Sequence, residues 1–116
     1  MTLQEARERV ERGAALLDEK QPGWAERIDI AKLEIEDPCL CVIGQLFDSN
    51  NVRFLNDCRM LGLGLYQTVD YGFNTLTACT GEYPWLEACW IDAINDRLAP
   101  RVIWTERDTT SVAVTQ

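Results

Sequence analysis

The chain has 116 residues, five cysteines and no histidine, and its 19 acidic and 11 basic residues leave a net charge of −8. That length fits one domain able to bury a core without covalent staples. The missing histidine excludes Ser-His-Asp and Cys-His catalysis and His-ligated zinc, the lack of any basic cluster counts against direct nucleic-acid binding, and no apolar run nears the roughly 20 residues that cross a bilayer.

Thr2 and Glu5 stand in the capping-box spacing that opens a helix. Leu3, Ala6, Val10, Gly13, Ala14 and Leu17 recur at steps of three and four, forming an apolar stripe, while Glu5, Arg7, Glu8, Arg9, Glu11 and Arg12 face outward. Gln21-Pro22-Gly23 stops this helix near Lys20. Trp24, Ile28, Ile30, Leu33 and Ile35 supply the next apolar contacts. Their alternation with Asp29, Glu34 and Glu36 also fits a strand, but short helical turns are preferred, one of them capped by Asp29.

Asp37-Pro38 reads as N-cap and first residue of a helix, where proline's fixed φ and missing N–H do no harm. From Cys39 to Phe47 nearly every face is apolar, so a helix over 38–47 is expected at the centre of the core. Gly44 in its middle costs about 1 kcal/mol, which a close approach by another element would offset.

Asp48-Ser49-Asn50-Asn51 is a turn cluster that offers an N-cap to a following helix, with Val52, Leu55, Cys58 and Leu61 as its apolar stripe. Gly62 and Gly64 end it. A short helix is expected over 66–71, closed by Gly72, after which Phe73 returns to the core. Residues 74–82 form a threonine-rich loop. Tyr83-Pro84 opens the last strong helix, with Leu86, Cys89, Trp90, Ala93, Ile94 and Leu98 at helical spacing and Pro100 as its stop. Beyond it Val102, Ile103, Trp104, Val112 and Val114 sit among threonines, a composition that favours strand or extended chain.

The five cysteines are Cys39, Cys41, Cys58, Cys79 and Cys89. An odd count, with no secretory leader in the opening residues, points to a reducing cytoplasm. Cys39, Cys41, Cys58 and Cys79 are the set from which a four-thiolate metal or redox site would be assembled. Residues two apart on a helix point about 200° from each other, so a helical 38–47 separates Cys39 from Cys41 and favours buried core thiols. Gly62-Leu63-Gly64 lacks the third glycine and the preceding strand of a phosphate loop.

The charge divides as −4 over 1–37, −4 over 38–100 and zero over 101–116. Glu34, Glu36 and Asp37 are its densest group, and adjacent surface acids are not the opposed pair a hydrolase needs. With Glu26 and Asp29 they leave open an acidic face that mimics nucleic acid or meets a basic partner. Of four tryptophans, Trp24 and Trp90 fall on apolar stripes. Tyr83, Trp85 and Trp104 are the candidate contact surface, because exposed aromatics are enriched at interfaces.

Pro22-Gly23-Trp24, Ile28-Asp29, Asp37-Pro38 through Cys41, Cys41-Val42-Ile43-Gly44-Gln45-Leu46-Phe47, Tyr71-Gly72-Phe73 and the helix from Leu86 to Trp90 together resemble a group of small proteins from actinobacteriophages and their actinobacterial hosts. The resemblance covers about residues 8–98. No activity is established for that group, so it implies an origin and a compartment rather than a reaction. Relatives tend to carry a glycine and an aromatic soon after Gln-Leu-Phe, where this chain has Asp48-Ser49-Asn50-Asn51, and many end near the position of Arg97.

The expected architecture is all-α, four to six helices around a buried central helix over 38–47, flanked by helices over 2–20, 51–61 and 84–98. Residues 1–100 form the domain and 101–116 an extended or β-like C-terminal extension. The expected function is a non-enzymatic phage accessory protein, without cofactor, that binds a host protein in the host cytoplasm. The cysteine-ligated metal or redox module and the acidic nucleic-acid mimic are its alternatives. Self-association through the C-terminal segment is a further possibility, since an exposed strand edge invites pairing.

Overall fold

A computed structural model describes residues 2–50, 52–74 and 83–99. It contains five α-helices, α1 (Leu3–Lys20), α2 (Val42–Phe47), α3 (Phe54–Met60), α4 (Leu65–Asp70) and α5 (Tyr83–Leu98), with 3-10 turns at Trp24–Arg27 and Ile30–Lys32. The all-α architecture is as expected, with no strand among the described residues. No described helix is long and apolar enough to cross a membrane. The loop over 75–82, the Pro100 stop and the 101–116 extension lie outside the described residues.

α1 starts where the capping box puts it. Thr2 Oγ1 accepts the Glu5 N–H at 3.1 Å, and the Glu5 carboxylate accepts the Thr2 N–H at 2.7 Å. Ala6, Val10, Gly13, Ala14 and Leu17 are its buried stripe, while Leu3 is exposed. Small residues dominate this stripe, which lets α5 come close, and the α1–α5 pairing is the most extensive in the fold.

Trp90 on α5 fills the space so created. Its ring lies 5.2 Å from that of Phe73, stacked, and 5.7 Å from that of Trp24, edge-on. Its indole N–H donates to the Gly72 carbonyl at 2.7 Å in a buried hydrogen bond. Gly72 ends α4 with φ +77°, and the bonds Gly72 N–H to Val69 O and Phe73 N–H to Thr68 O close a Schellman motif that turns Phe73 inward. Gly13 completes the fit, since a Cβ there would stand 3.1 Å from the Trp90 ring and against the Tyr71 carbonyl.

An ion pair closes the same layer from outside. Arg97 donates two hydrogen bonds to Asp18, at 2.7 and 2.8 Å, and its guanidinium lies 5.5 Å from the Trp24 ring centroid. The Trp24 indole N–H donates to the same carboxylate at 2.9 Å. The Arg97 hydrogen bonds, opposed by some desolvation and aided by Trp24, hold the Asp18 carboxyl below its ordinary value.

The 38–47 segment is buried from Cys41 to Leu46 apart from half-buried Gln45, but its helix is shorter than expected and begins at Val42. Asp37 does cap a turn, with its Oδ1 accepting the Cys39 N–H at 2.7 Å and its carbonyl accepting from Leu40 and Cys41. The chain then extends at Cys41, with ψ 177°, so that Pro38 and Cys39 fold back across α2. Gly44 permits this, because a Cβ would come within 2.6 Å of the Cys39 carbonyl. Packing is also shared differently from the expectation: α2 rests chiefly on α3 and on the Trp24–Arg27 turn, while α1 and α5 pair with each other.

These contacts set the response to two substitutions. Gly13→Ala, which in an exposed helix adds about 0.5–1 kcal/mol, will here lower stability by about 1–2 kcal/mol because overpacking wins, read as a lower urea midpoint at unchanged slope. Asp18→Asn will destabilise at pH 7 by up to about 1 kcal/mol, a small figure because the pair is half exposed. Asp18 is depressed in the folded state, so its contribution is present above the unfolded value near 3.8 and lost as pH falls through the lower folded value. Urea midpoints of variant and wild type will therefore differ at pH 7 and converge below about pH 4.

Candidate interaction surface

The residues around α2 that look most like a chemical centre are occupied with structure. The Cys41 thiol caps α2, its Sγ accepting the Gly44 N–H at 3.3 Å. The Gln45 amide accepts the Asp29 N–H at 2.6 Å and donates to the carbonyls of Asp29 at 3.2 Å and Leu40 at 2.9 Å. It thereby ties the loop before the Ile30–Lys32 turn to α2. Arg27 donates to the Leu46 carbonyl at 3.0 Å, satisfying part of the C-terminal end of α2.

The cysteines do not share one environment. Cys39 is exposed on the Asp37–Leu40 turn, whereas Cys41, Cys58 and Cys89 are buried and all four are free thiols. The helical separation argued for Cys39 and Cys41 does not apply, since Cys39 lies outside α2. The expectation of buried core thiols likewise fails at Cys39. Burial pushes the Cys41 thiol up to about 11 and the Cys58 thiol up to about 12, and it also raises Cys89. Among the described residues no three His, Cys, Asp or Glu side chains are grouped to hold a metal ion. Cys79 lies outside them.

Of the expected aromatic surface, Trp85 is 42% exposed at the first turn of α5, and Tyr83 is half-buried against the core. Trp104 lies outside the described residues. Glu34, Glu36 and Asp37 border a shallow depression with Pro38 and Cys39, while Glu26 lines a separate one beside Trp24 and Arg97. A groove of about 250 Å³ between α1 and α5 is lined by Val10, Ala14 and Cys89 and carries mixed charge from Arg7, Glu11, Asp92 and Asp96.

Among the described residues the largest concentration of outward apolar side chains lies elsewhere, in the turn before α3, on α3 and at the start of α4. Val52 is 89%, Met60 75% and Tyr66 74% exposed, and Leu55 and Leu65 are exposed with them. At 100° per residue, Val52, Leu55, Asn56, Arg59 and Met60 fall within a single outer arc, opposite Phe54, Asp57, Cys58 and Leu61. The expected stripe of Val52, Leu55, Cys58 and Leu61 is therefore corrected: Cys58 and Leu61 are buried, but Val52 and Leu55 are not. Steps of three residues retreat 60° each, so a strict series of threes crosses half the helix by its fourth member. The tighter inward group headed by Phe54 was the signal available in the sequence.

This orientation has a consequence at Asp57. Its carboxylate is buried, with Oδ1 3.8 Å from Arg53 and Oδ2 without a hydrogen-bond partner among the described residues. Ser49 Oγ, buried beyond the end of α2, is also without one. The turn before α3 is held by Asn50, whose Oδ1 accepts the N–H groups of Val52 and Arg53 at 2.9 and 3.0 Å.

Comparison with protein-family models, with curated proteins and with solved structures returns no match.

The thiol environments predict a labelling pattern. At pH 8 a thiol titrating near 11 is about one part in a thousand thiolate, and burial blocks the reagent as well. In a Cys79→Ser background, Ellman's reagent will titrate one fast equivalent, Cys39, with Cys41, Cys58 and Cys89 reacting only on unfolding. A second fast equivalent would show access to Cys89 through the α1–α5 groove or an open α2–α3 core, and three or more would require the α2–α3 core to be open.

Proposed function

We propose that this chain is a non-enzymatic binding module whose working surface is the apolar face of α3 and α4, and that it is a phage accessory protein engaging a host protein in the bacterial cytoplasm. The observation that carries the binding role is the outward placement of Val52, Leu55, Met60, Leu65 and Tyr66 within fifteen consecutive residues. Scattered surface leucines need no explanation, but a local concentration with an aromatic and a methionine has the composition of a contact site. Full burial of such side chains in a partner contributes about 1.5–3 kcal/mol each before the losses of association are counted.

Trp85 is a second contact in this reading, with Trp104 as the expected companion from the C-terminal segment. The phage origin and the cytoplasmic setting rest on the resemblance described above and on the free thiols of Cys39, Cys41, Cys58 and Cys89. The absence of histidine and the structural duties of Asp37, Cys41, Gly44 and Gln45 favour binding over catalysis.

Affinity capture from an actinobacterial lysate tests the surface. A Met60→Ser, Tyr66→Ser double variant, folded by circular dichroism, will lose the partners that wild type recovers. A Trp85→Ala, Trp104→Ala double variant will lose them in part. Equal recovery by wild type and both variants would remove this surface from consideration.

A further inference from the structure

The charge pattern of the α3–α4 face specifies what kind of partner it accepts. In a chain of net charge −8, residues 49–69 contain only three ionisable acid or base side chains with full charge at neutral pH, Arg53, Asp57 and Arg59, and exposed Asp48 and Asp70 bound the stretch. Asp57 is buried, so the charges this stretch presents to solvent are two guanidiniums. Arg53 is half exposed and reaches toward Asp57, whereas among the described residues Arg59 makes only a 3.5 Å hydrogen bond to Asn56 and no ion pair. Arg59 sits in the middle of the outer arc, between Leu55 and Met60.

Resting on the binding reading above, we propose that this face takes an amphipathic helix that carries carboxylates beside its apolar anchors. Two considerations select it. Like charges placed opposite each other in an interface cost several kcal/mol, so a basic segment is rejected at the point of contact even though the net charge attracts it from afar. At physiological salt the screening length is about 8 Å, so Arg59, in the middle of the outer arc, outweighs acids farther from it than that once the surfaces meet. The outer arc is itself a helical ridge, and no strand among the described residues offers an edge to an extended peptide. A second helix laid along α3 is the complementary shape.

A displayed library of single-helix peptides with random side chains tests the partner class directly, whatever the identity of the host protein. Selection on the full chain will enrich peptides with apolar residues at helical spacing and Glu or Asp next to them. Arg59→Glu will weaken a selected acidic peptide about three- to tenfold, and exchanging the peptide's facing Glu for Lys will recover the loss, a reciprocal effect that mere misfolding does not produce. Basic or charge-neutral winners that still depend on Met60 and Tyr66 would overturn the acidic-helix inference and leave the surface standing. Winners indifferent to Met60→Ser and Tyr66→Ser would overturn the surface as well. Failure to enrich any peptide, or concentration-dependent self-association abolished by Tyr66→Ser, would overturn the inference, the latter assigning the face to a second copy of the chain.

Discussion

The buried indole of Trp90 is the contact on which the arrangement of the helices depends. A buried N–H left without an acceptor costs about 1–3 kcal/mol, and this one has a single partner, the Gly72 carbonyl at 2.7 Å. That bond fixes α5 against the end of α4, while Phe73 stacks on the ring, Trp24 packs perpendicular to it and its edge meets Gly13 of α1. From Trp24 the linkage continues to Asp18 and Arg97, returning to α5 near its C-terminal end. One side chain thus sets the positions of α1, α4, α5 and the first 3-10 turn together, which explains why glycines stand at 13 and 72 and why α1 buries so many small residues.

The segment from Asp37 to Phe47 belongs to the second layer of this design. Asp37 caps a turn, Cys41 caps a helix, Gly44 lets Pro38 and Cys39 cross at close range, and Gln45 bonds to both backbone groups of Asp29. Each residue that gives the segment its distinctive spelling has a mechanical task.

What was legible in the sequence was local. The Thr2–Glu5 box, the Asp29 cap, the glycine at 72 and the inward turn of Phe73 each depend on neighbours within a few residues, and each is found as read. The break at Cys41 was not legible, because proline at 38 and a polar cap at 37 start a single turn and a long helix equally well. What decides between them is the crossing at Gly44, a contact made only after the chain has folded back. The orientation of α3 was missed for a different reason. Val52 and Leu55 and the pair Cys58 and Leu61 are equally apolar, and only competition for the core, won by Phe54, Cys58, Leu61 and Leu63, turns the first two outward. The candidate surface was missed with it, although the inward grouping of Phe54, Asp57, Cys58 and Leu61 at 100° per residue stood in the sequence.

Stability alone would not choose the orientation of α3. It places a carboxylate in the interior with one oxygen unpartnered, while Val52, Leu55 and Met60 meet water. An unsatisfied buried polar atom costs about 1–3 kcal/mol, each exposed apolar side chain forgoes about 1.5–3 kcal/mol that burial would contribute, and both features fall on or beside the same two turns of helix. Local preference and tertiary packing agree at the capped start of α1 and in the Trp90 cluster. Conflict between levels concentrated in one short stretch is a pattern expected where a surface is kept for a partner rather than for the fold. Binding there would remove the apolar half of the conflict by covering Val52, Met60 and Tyr66. Phe54, Cys58 and Leu61 would remain where the core requires them.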